Sequence, residues 1–398
     1  MKKSQNTACI GLVWHSLNSS NLGVGALTLA NIAIVREAAR SIGITPKFIV
    51  LGWSDSNPYY IEQDDVQVVE LRLKDFAKPT GGLYSKLRSC DIVLDIGAGD
   101  SFSDIYGLKR FGTILGSKVL TILARRPLIL SPQTIGPFER AWVQSLALMV
   151  MKRAKFVASR DDLSTKFLRD IGFERDIVEA SDVALRLPFN SPKPVANTNT
   201  IAKKVKIGLN VSGLLFNGGY SRKNMFGLRA PYAECIRDLL RWTTATSEYE
   251  VHLVPHVISD CHEVEDDFRI NQKLALEFPN VIQAPRFSTP IEAKSYIANM
   301  NFFVGARMHA CIAAFSSGVP VLPMAYSRKF SGLFASMGYD VIADCKEDSK
   351  EQIIAKFRQS LENREDLRLQ TEISLKRGLK RLGVYEDAIS DCLKNLQA

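Results

Sequence analysis

Along the chain, short apolar runs alternate with longer stretches whose apolar positions recur every three or four residues. "ACIGLVW" (8–14) reads as a strand, and the spacing predicts a helix near 24–41. Further strands are predicted at "FIVLG" (48–52), "VQVVELRL" (66–73), "DIVLDIG" (91–97), "PLILSPQ" (127–133), "KFVASR" (155–160) and "DIVEA" (176–180). Continuous apolar strands, most of them followed by a helix, mean a parallel sheet covered on both faces. The pattern then breaks. "RLPFNSPKPVANTNTIAKK" (186–204) has three prolines and little periodicity, and a linker is placed at 191–204. Alternation restarts with strands at "VKIGLNVSG" (205–213), "YEVHLVPHV" (249–257), "VIQA" (281–284), "NFFVGA" (301–306) and "PVLPMA" (320–325). Helices are predicted near 229–246, 263–277, 288–299, 308–317, 328–337 and 348–396. This gives an α/β domain over 1–190, a second over 205–345, and closing helices over 346–398 that are candidates to pack back on the first domain. Two such domains suggest a cleft between Rossmann-like halves, with ligands beyond the carboxyl ends of the strands.

Composition narrows the class only a little. At 398 residues, 46% hydrophobic and 23% charged, the chain is of globular type, with length for two or three domains. No apolar run is expected to reach the roughly 18 residues of a membrane-spanning helix. The opening residues read as a first core strand and not as a signal peptide. Seven scattered cysteines without C-x-x-C point to reduced thiols and a cytoplasmic protein. The net charge of +9 is mostly dispersed, with denser groups at Lys203, Lys204 and Lys206 and at Lys376, Arg377, Lys380 and Arg381. No nucleic-acid motif accompanies them. A solvated face, an anionic membrane surface and an acidic substrate remain as readings of that charge.

Six constellations fall at predicted strand ends. In "WHSLNSSNLGVGALTLAN" a Ser/Asn/Gly loop with Asn21 and Gly23 opens a helix, which is either a tight turn or an anion site. In "VLDIGAGDSFSD" Gly97 and Gly99 follow a buried strand, and Asp95, Asp100 and Asp104 are candidates for sugar hydroxyls or for caps. "SPQTIGPFER" closes a strand with Gln133 and places Pro137 where a first helical turn suits it. In "ASRDDLS" Arg160 ends a strand, directed at a ligand or paired with a neighbouring aspartate. "VHLVPHVISDCH" gathers His252, His256, Cys261 and His262. On a strand, residues four apart lie roughly 13 Å apart, too far to share an ion, so no metal site is assigned and His256 becomes a cleft candidate. No D-x-D occurs, which argues against a nucleotide-bound divalent ion.

The sixth constellation is "VGARMHACIAAFSSGVPVLPMAYSRK" (304–329). Arg307 and His309 fall at the turn into a helix of small residues, and Tyr326, Arg328 and Lys329 end the next strand. Arg307 offers a fork for a carboxylate or phosphate. His309, with an ordinary pKa near 6.5, suits anion binding or acid catalysis. A structural histidine would not account for so many donors at two adjacent strand ends.

Taken in order, "NSSNLGVGA", "DIGAGDSFSD", "QTIGPF", "SRDDLS", "SDVAL", "GLNVSG", "VPHVISD" and the Arg-x-His block resemble the polysaccharide pyruvyl transferase family over about residues 10–340. The resemblance implies a GT-B-like fold, two Rossmann-like domains with mostly parallel sheets facing a central cleft. It implies transfer of the carboxyethylidene group of phosphoenolpyruvate onto two hydroxyls of a sugar, in a polysaccharide or lipid-linked glycan. Phosphoenolpyruvate is then a donor substrate, and no cofactor or metal is called for. Arg307, His309, Lys329 and Arg160 would form the donor site, with His309 as proton donor. His256 is a further catalytic candidate. Asn21, Gly23, Gly97, Gly99, Asp104, Gln133, Asn210, Ser212 and Tyr326 are the substrate-binding candidates of the remaining blocks. His256, Asp95 and Asp104 stay open as the base. Two departures, Val24-Gly25 where the family is often acidic and Gly97-Ala98-Gly99 for G-G-G, lie in the amino-terminal half, where the acceptor is expected. The competing readings are a GT-B glycosyltransferase using a nucleotide sugar and an inactive glycan-binding relative.

Overall fold

The computed structural model describes residues 6–53, 55, 57–78, 80–190 and 204–396. The chain divides into two compact units, the first of Met1–Ser19, Leu27–Leu187 and Gly378–Ala398, the second of Ser20–Ala26 and Pro188–Arg377. A single first domain over 1–190 is thus corrected in one respect: Ser20–Ala26 belongs with the second unit. The proposed linker, apart from Lys204, lies outside the described residues, as does Lys203.

The first unit is built on strands β1 (Thr7–Val13), β2 (Thr45–Trp53), β3 (Val66–Leu71), β4 (Ile92–Asp95), β5 (Leu128–Gln133), β6 (Phe156–Ser159) and β7 (Ile177–Glu179). Its helices are α1 (Leu22–Ser41), whose first turn belongs to the second unit, α2 (Leu83–Ser89), α3 (Leu108–Leu123), α4 (Ala141–Met151) and α5 (Asp162–Asp170). The strands pair in parallel in the order β3-β2-β1-β4-β5-β6-β7. β4 and β5 are buried along their whole length, the reason each opens on consecutive apolar residues (Ile92–Leu94 and Leu128–Leu130) and not on an alternating pattern.

The second unit has β8 (Val205–Asn210), β9 (Tyr249–Leu253), β10 (Ile282–Gln283), β11 (Phe302–Gly305), β12 (Val321–Ala325) and β13 (Ala343–Asp344), all parallel, in the order β10-β9-β8-β11-β12-β13. Its helices are α6 (Gly213–Phe216), α7 (Tyr232–Thr244), α8 (Asp267–Glu277), α9 (Pro290–Ile297), α10 (Met308–Ser316), α11 (Arg328–Ser336), α12 (Lys350–Glu362) and the opening turns of α13 (Arg364–Lys394), whose remainder from Gly378 belongs to the first unit. Local chemistry sets their starts. Thr289 caps α9 ahead of Pro290, and Ser349 with Gln352 forms a capping box on α12.

Three expectations change. The single helix over 348–396 is broken at Asn363. The strand over 249–257 stops at Leu253, so His256 sits in the loop beyond it. α1 is long and apolar enough to cross a membrane by length and composition, although no such run was expected, and 78% of its apolar window is buried inside the protein. Its polar residues Thr28 and Asn31 are themselves fully buried, as befits a core helix.

The far end of α13 is fastened into the first unit by a buried polar network. Tyr385 donates to Asn31 Oδ1 (3.0 Å) and bonds Ser131 Oγ (3.0 Å), while Asn31 Nδ2 donates to His15 Nε2 (2.9 Å). His15 Nδ1 completes it against the Val13 carbonyl (3.0 Å). Every side chain in the network is thereby satisfied, as burial requires.

Candidate active site

In each unit the strand order reverses once, between β1 and β4 and between β8 and β11, and such switch points are where open parallel sheets take ligands. In the second unit β8 and β11 run in register to Asn210 and Gly305. Arg307 then caps α10 with extended backbone (φ −91°, ψ 119°), and His309 is the second residue of the helix.

A buried carboxylate that sequence reasoning missed organises this corner. Asp267 accepts from the backbone N–H of Gly213 (2.8 Å), His256 (3.1 Å) and Val257 (3.0 Å). Arg307 lies along it, Nη2 donating to Asp267 Oδ1 (2.8 Å) and Nε lying 3.2 Å from the same oxygen. Nη2 also donates to the Glu265 carbonyl (2.7 Å). Burial alone would lower the arginine's pKa, and Asp267 more than offsets this, leaving it raised. The expectation of a fork presented whole to a ligand is therefore corrected: one edge is held by Asp267, and Nη1 is the nitrogen without a hydrogen bond among the described residues. No local motif marks a buried aspartate in "EVEDDFR", so only the fold reveals it.

Asn210 and Ser212, expected to bind substrate, are part of the frame. Asn210 Oδ1 accepts from the Arg307 N–H (2.9 Å) and its Nδ2 donates to the Val254 carbonyl (2.9 Å). Ser212 is buried and caps α6. His256 is also buried, and desolvation lowers its pKa to about 4, so its ring is neutral at physiological pH. Its value as a base is correspondingly small. His252 is engaged by Tyr296 Oη (2.6 Å) and Glu250 (2.9 Å). Among the described residues no group of three His, Cys, Asp or Glu side chains is placed to hold a metal.

His309 meets the first sequence block directly. The loop at 20–23 docks on the segment around His256: Asn21 bridges Val257, Leu22 N–H donates to the His256 carbonyl (3.1 Å), and Ile258 N–H donates to the Ser20 carbonyl (2.9 Å). Asn21 Oδ1 accepts from Gly23 N–H (3.0 Å). A Cβ on Gly23 would overlap His309 Nδ1 and stand 2.8 Å from Cγ. The glycine is needed for close approach and not for a turn. Tyr326 packs against Phe226 and Phe330 (centroids 5.3 and 5.6 Å), with Lys329 Nζ 5.9 Å from its ring centre. Lys329 stands in the first turn of α11, where a cation opposes the helix dipole.

In the first unit, Gly97, Ala98 and Gly99 have φ of 52°, 50° and 91°, a left-handed turn at the end of β4. Gln133 Nε2 donates to the Asp95 carbonyl (2.8 Å), and its Oε1 fills the space a Gly97 side chain would need. Arg160 follows β6 and is 1% exposed. Its Nε donates to Thr134 Oγ1 (2.9 Å) and its Nη1 to Asp182 (3.0 Å). Nη2 is buried with no hydrogen-bond partner among the described residues. The paired aspartate is therefore Asp182, of the "SDVAL" block, while neighbouring Asp161 caps α5. A Cβ on Gly99 would come within 3.7 Å of Arg160 Nη1, so the turn leaves room beside the guanidinium. Two base candidates are removed. Asp95 is buried in an ion pair with Lys118 (2.8 Å), and Asp104 is buried against Glu139 N–H (2.8 Å) and Arg140 (3.0 Å). Pro137 follows a cis peptide bond ahead of α4 and does not start that helix. Arg160 belongs to the first unit and Arg307, His309 and Lys329 to the second.

Two successive parallel α/β units of this strand order define a GT-B fold. Solved structures agree: UDP-GlcNAc 2-epimerase from Neisseria meningitidis bound to UDP-GlcNAc is 13% identical with a TM-score of 0.55, over 96% of this chain and 99% of that one. A trehalose 6-phosphate synthase from Burkholderia multivorans is 11% identical with a TM-score of 0.53, over 98% and 99%. The sequence matches the polysaccharide pyruvyl transferase family over residues 30–328, and the chain belongs to that family. It is also 21% identical over 300 residues to the amylovoran biosynthesis protein AmsJ of Erwinia amylovora, covering 72% of this chain and 69% of that protein.

Proposed function

We propose that the chain transfers the carboxyethylidene group of phosphoenolpyruvate to two hydroxyls of a sugar, forming a ketal and releasing phosphate. The observation that carries this reading is Arg307 and His309 at the end of β11, with His309 packed on Gly23, in a chain of the pyruvyl transferase family. His309 delivers a proton to the methylene carbon of the donor. One acceptor hydroxyl then adds to the adjacent carbon, and the second displaces phosphate as the C–O bond breaks. The two hydroxyl protons leave, one replacing that spent on carbon and one carried off by phosphate. Arg307 through Nη1 and Lys329, both in the second unit, are the proposed donor ligands, since a carboxylate and a phosphate call for fixed cations. Arg160 is proposed as an anion ligand of the first unit, where its buried Nη2 has no hydrogen-bond partner among the described residues. No cofactor is required. Lipid-linked glycans at the cytoplasmic face of an anionic membrane are the proposed acceptors.

The test is incubation with labelled phosphoenolpyruvate and candidate glycans, read by mass for a gained carboxyethylidene and by release of phosphate. Transfer from a UDP-sugar with no reaction of phosphoenolpyruvate would replace this reading with a glycosyltransferase.

A further inference from the structure

A recess of about 520 Å³ lies wholly within the first unit, over the carboxyl ends of β1 and β2 and the first turns of α3. That volume suits a small molecule. Trp14 follows β1 and Trp53 closes β2, their ring centres 5.3 Å apart. Trp14 is fixed, its Nε1 donating to buried Ser117 Oγ (2.8 Å). Trp53 is 44% exposed, an indole face left in water. Tyr106, also 44% exposed, carries the Arg110 guanidinium 5.2 Å from its ring centre. Arg110 is steadied by Ser101 Oγ (2.6 Å), and Lys109 stands beside it. No acidic residue is among the described residues lining the recess.

We infer that this recess is the acceptor subsite and takes a pyranose bearing an anionic group, a phosphate or a carboxylate. The inference rests on the proposed reading of the chain as a transferase to sugars. An exposed, oriented aromatic face matches the C–H face of a sugar ring, which buries apolar area while its hydroxyls stay wet. Two cations line the recess and no carboxylate does, although Asp100 accepts from the Tyr106 hydroxyl (2.8 Å), so the lining favours negative charge, and a guanidinium held by a hydroxyl and a ring is already oriented to meet it. Ala98, at the left-handed turn after β4, is part of the same wall, so the subsite adjoins the switch point of this unit.

Titration calorimetry with galactose 1-phosphate, glucuronate, free galactose, inorganic phosphate, UMP and farnesyl phosphate tests the inference. An anionic sugar should bind at least about tenfold more tightly than free galactose or inorganic phosphate. Trp53→Ala and Arg110→Ala should each weaken it about tenfold or more, and Trp53→Tyr should restore part. Both side chains are exposed, so the variants should melt like the parent. The galactose 1-phosphate and glucuronate arms tell which anion is preferred. Absence of binding by either, or binding indifferent to both variants, overturns the inference. So does tighter binding of UMP, of inorganic phosphate or of farnesyl phosphate, which would mark a base, bare-anion or lipid site. Phosphoenolpyruvate is titrated separately and should bind both variants within about twofold of the parent. If it fails to bind while the anionic sugar binds through Trp53 and Arg110, the donor reading falls and the subsite stands. If it binds and neither sugar does, only the subsite falls.

Discussion

His309 and Gly23 are in such close contact that the glycine's missing side chain is the space the imidazole occupies. Gly23→Ala should therefore push the ring off its position while leaving most of the fold alone. Turnover should fall about tenfold to a hundredfold, since a displacement of an ångström is enough to spoil a proton transfer. In a His309→Ala background the same change should cost nothing further, because the two act through one contact. Equal losses in both backgrounds would show that Gly23 acts elsewhere.

His309→Ala alone should lower turnover about 10² to 10⁴-fold, the usual worth of a positioned proton donor. Binding of phosphoenolpyruvate should stay within about tenfold. Calorimetry beside a phosphate-release assay separates the two. Full turnover per bound donor would move the acid role to another residue.

Arg307→Ala should do more than weaken donor binding. It strands Asp267, which is fully buried, and unpairing a buried ion pair costs about 3–5 kcal/mol. Adding Asp267→Asn removes the stranded charge and should recover part of the lost stability in urea unfolding, with no recovery of donor binding. A single variant as stable as the parent would mean that Asp267 does not depend on its partner.

Two buried imidazoles give the fold a specific acid sensitivity. Burial lowers both His15, in the first unit, and His256, in the second, from the usual 6.5 to about 4. Between those values the unfolded chain takes up protons that the folded chain refuses. Stability is thus full above about pH 6.5, falls as pH drops, and levels off, for these groups, below about pH 4. Each ring contributes roughly 3 kcal/mol at most. Denaturant midpoints should already decline between pH 7 and 5, where ordinary carboxylates remain ionised. Flat midpoints over that window would refute the assignment.

The membrane proposal rests on exposed cations and is weaker than the sequence alone suggests. Of the second basic group, Lys376, Arg377 and Lys380 are exposed, while Arg381 is tied to Asp162 (2.6 Å) and to the Ala180 carbonyl (3.1 Å). At about 1 kcal/mol per cation near an anionic leaflet, sedimentation with phosphatidylserine vesicles should be salt-sensitive and reduced by charge reversal at Lys376 and Lys380. No sedimentation at low salt would leave these residues as solvated surface.

Much of this was legible from periodicity. Fully buried strands such as β4, β5 and β11 announce themselves by three consecutive apolar residues with no alternation, and glycines and prolines punctuate their ends. The Arg-x-His block stood out because two strongly polar residues open a helix that is otherwise apolar. Pairings across the sheet were not legible. Arg307 with Asp267, Arg160 with Asp182 and Asp95 with Lys118 are separated by 40, 22 and 23 residues, and nothing local distinguishes a carboxylate held in a pair from one offered to a ligand. For the same reason Asn210, Ser212 and Asp104 look like binders in the sequence, while in the fold their side chains bond Arg307 and Val254, the start of α6, and Glu139 and Arg140. The recess at Trp53 has no signature in the sequence, because its aromatic and basic residues come from separate elements.

Tyr385 sets an order on biosynthesis. The residue that joins Asn31 and Ser131 belongs to Gly378–Ala398, and all of Pro188–Arg377 is translated before it. The amino-terminal sheet therefore emerges from the ribosome with Asn31 and Ser131 awaiting a partner that is translated after an intervening unit. Domains that are continuous in sequence fold as they are made. Here the second unit is free to finish first, and the first matures only when α13 arrives.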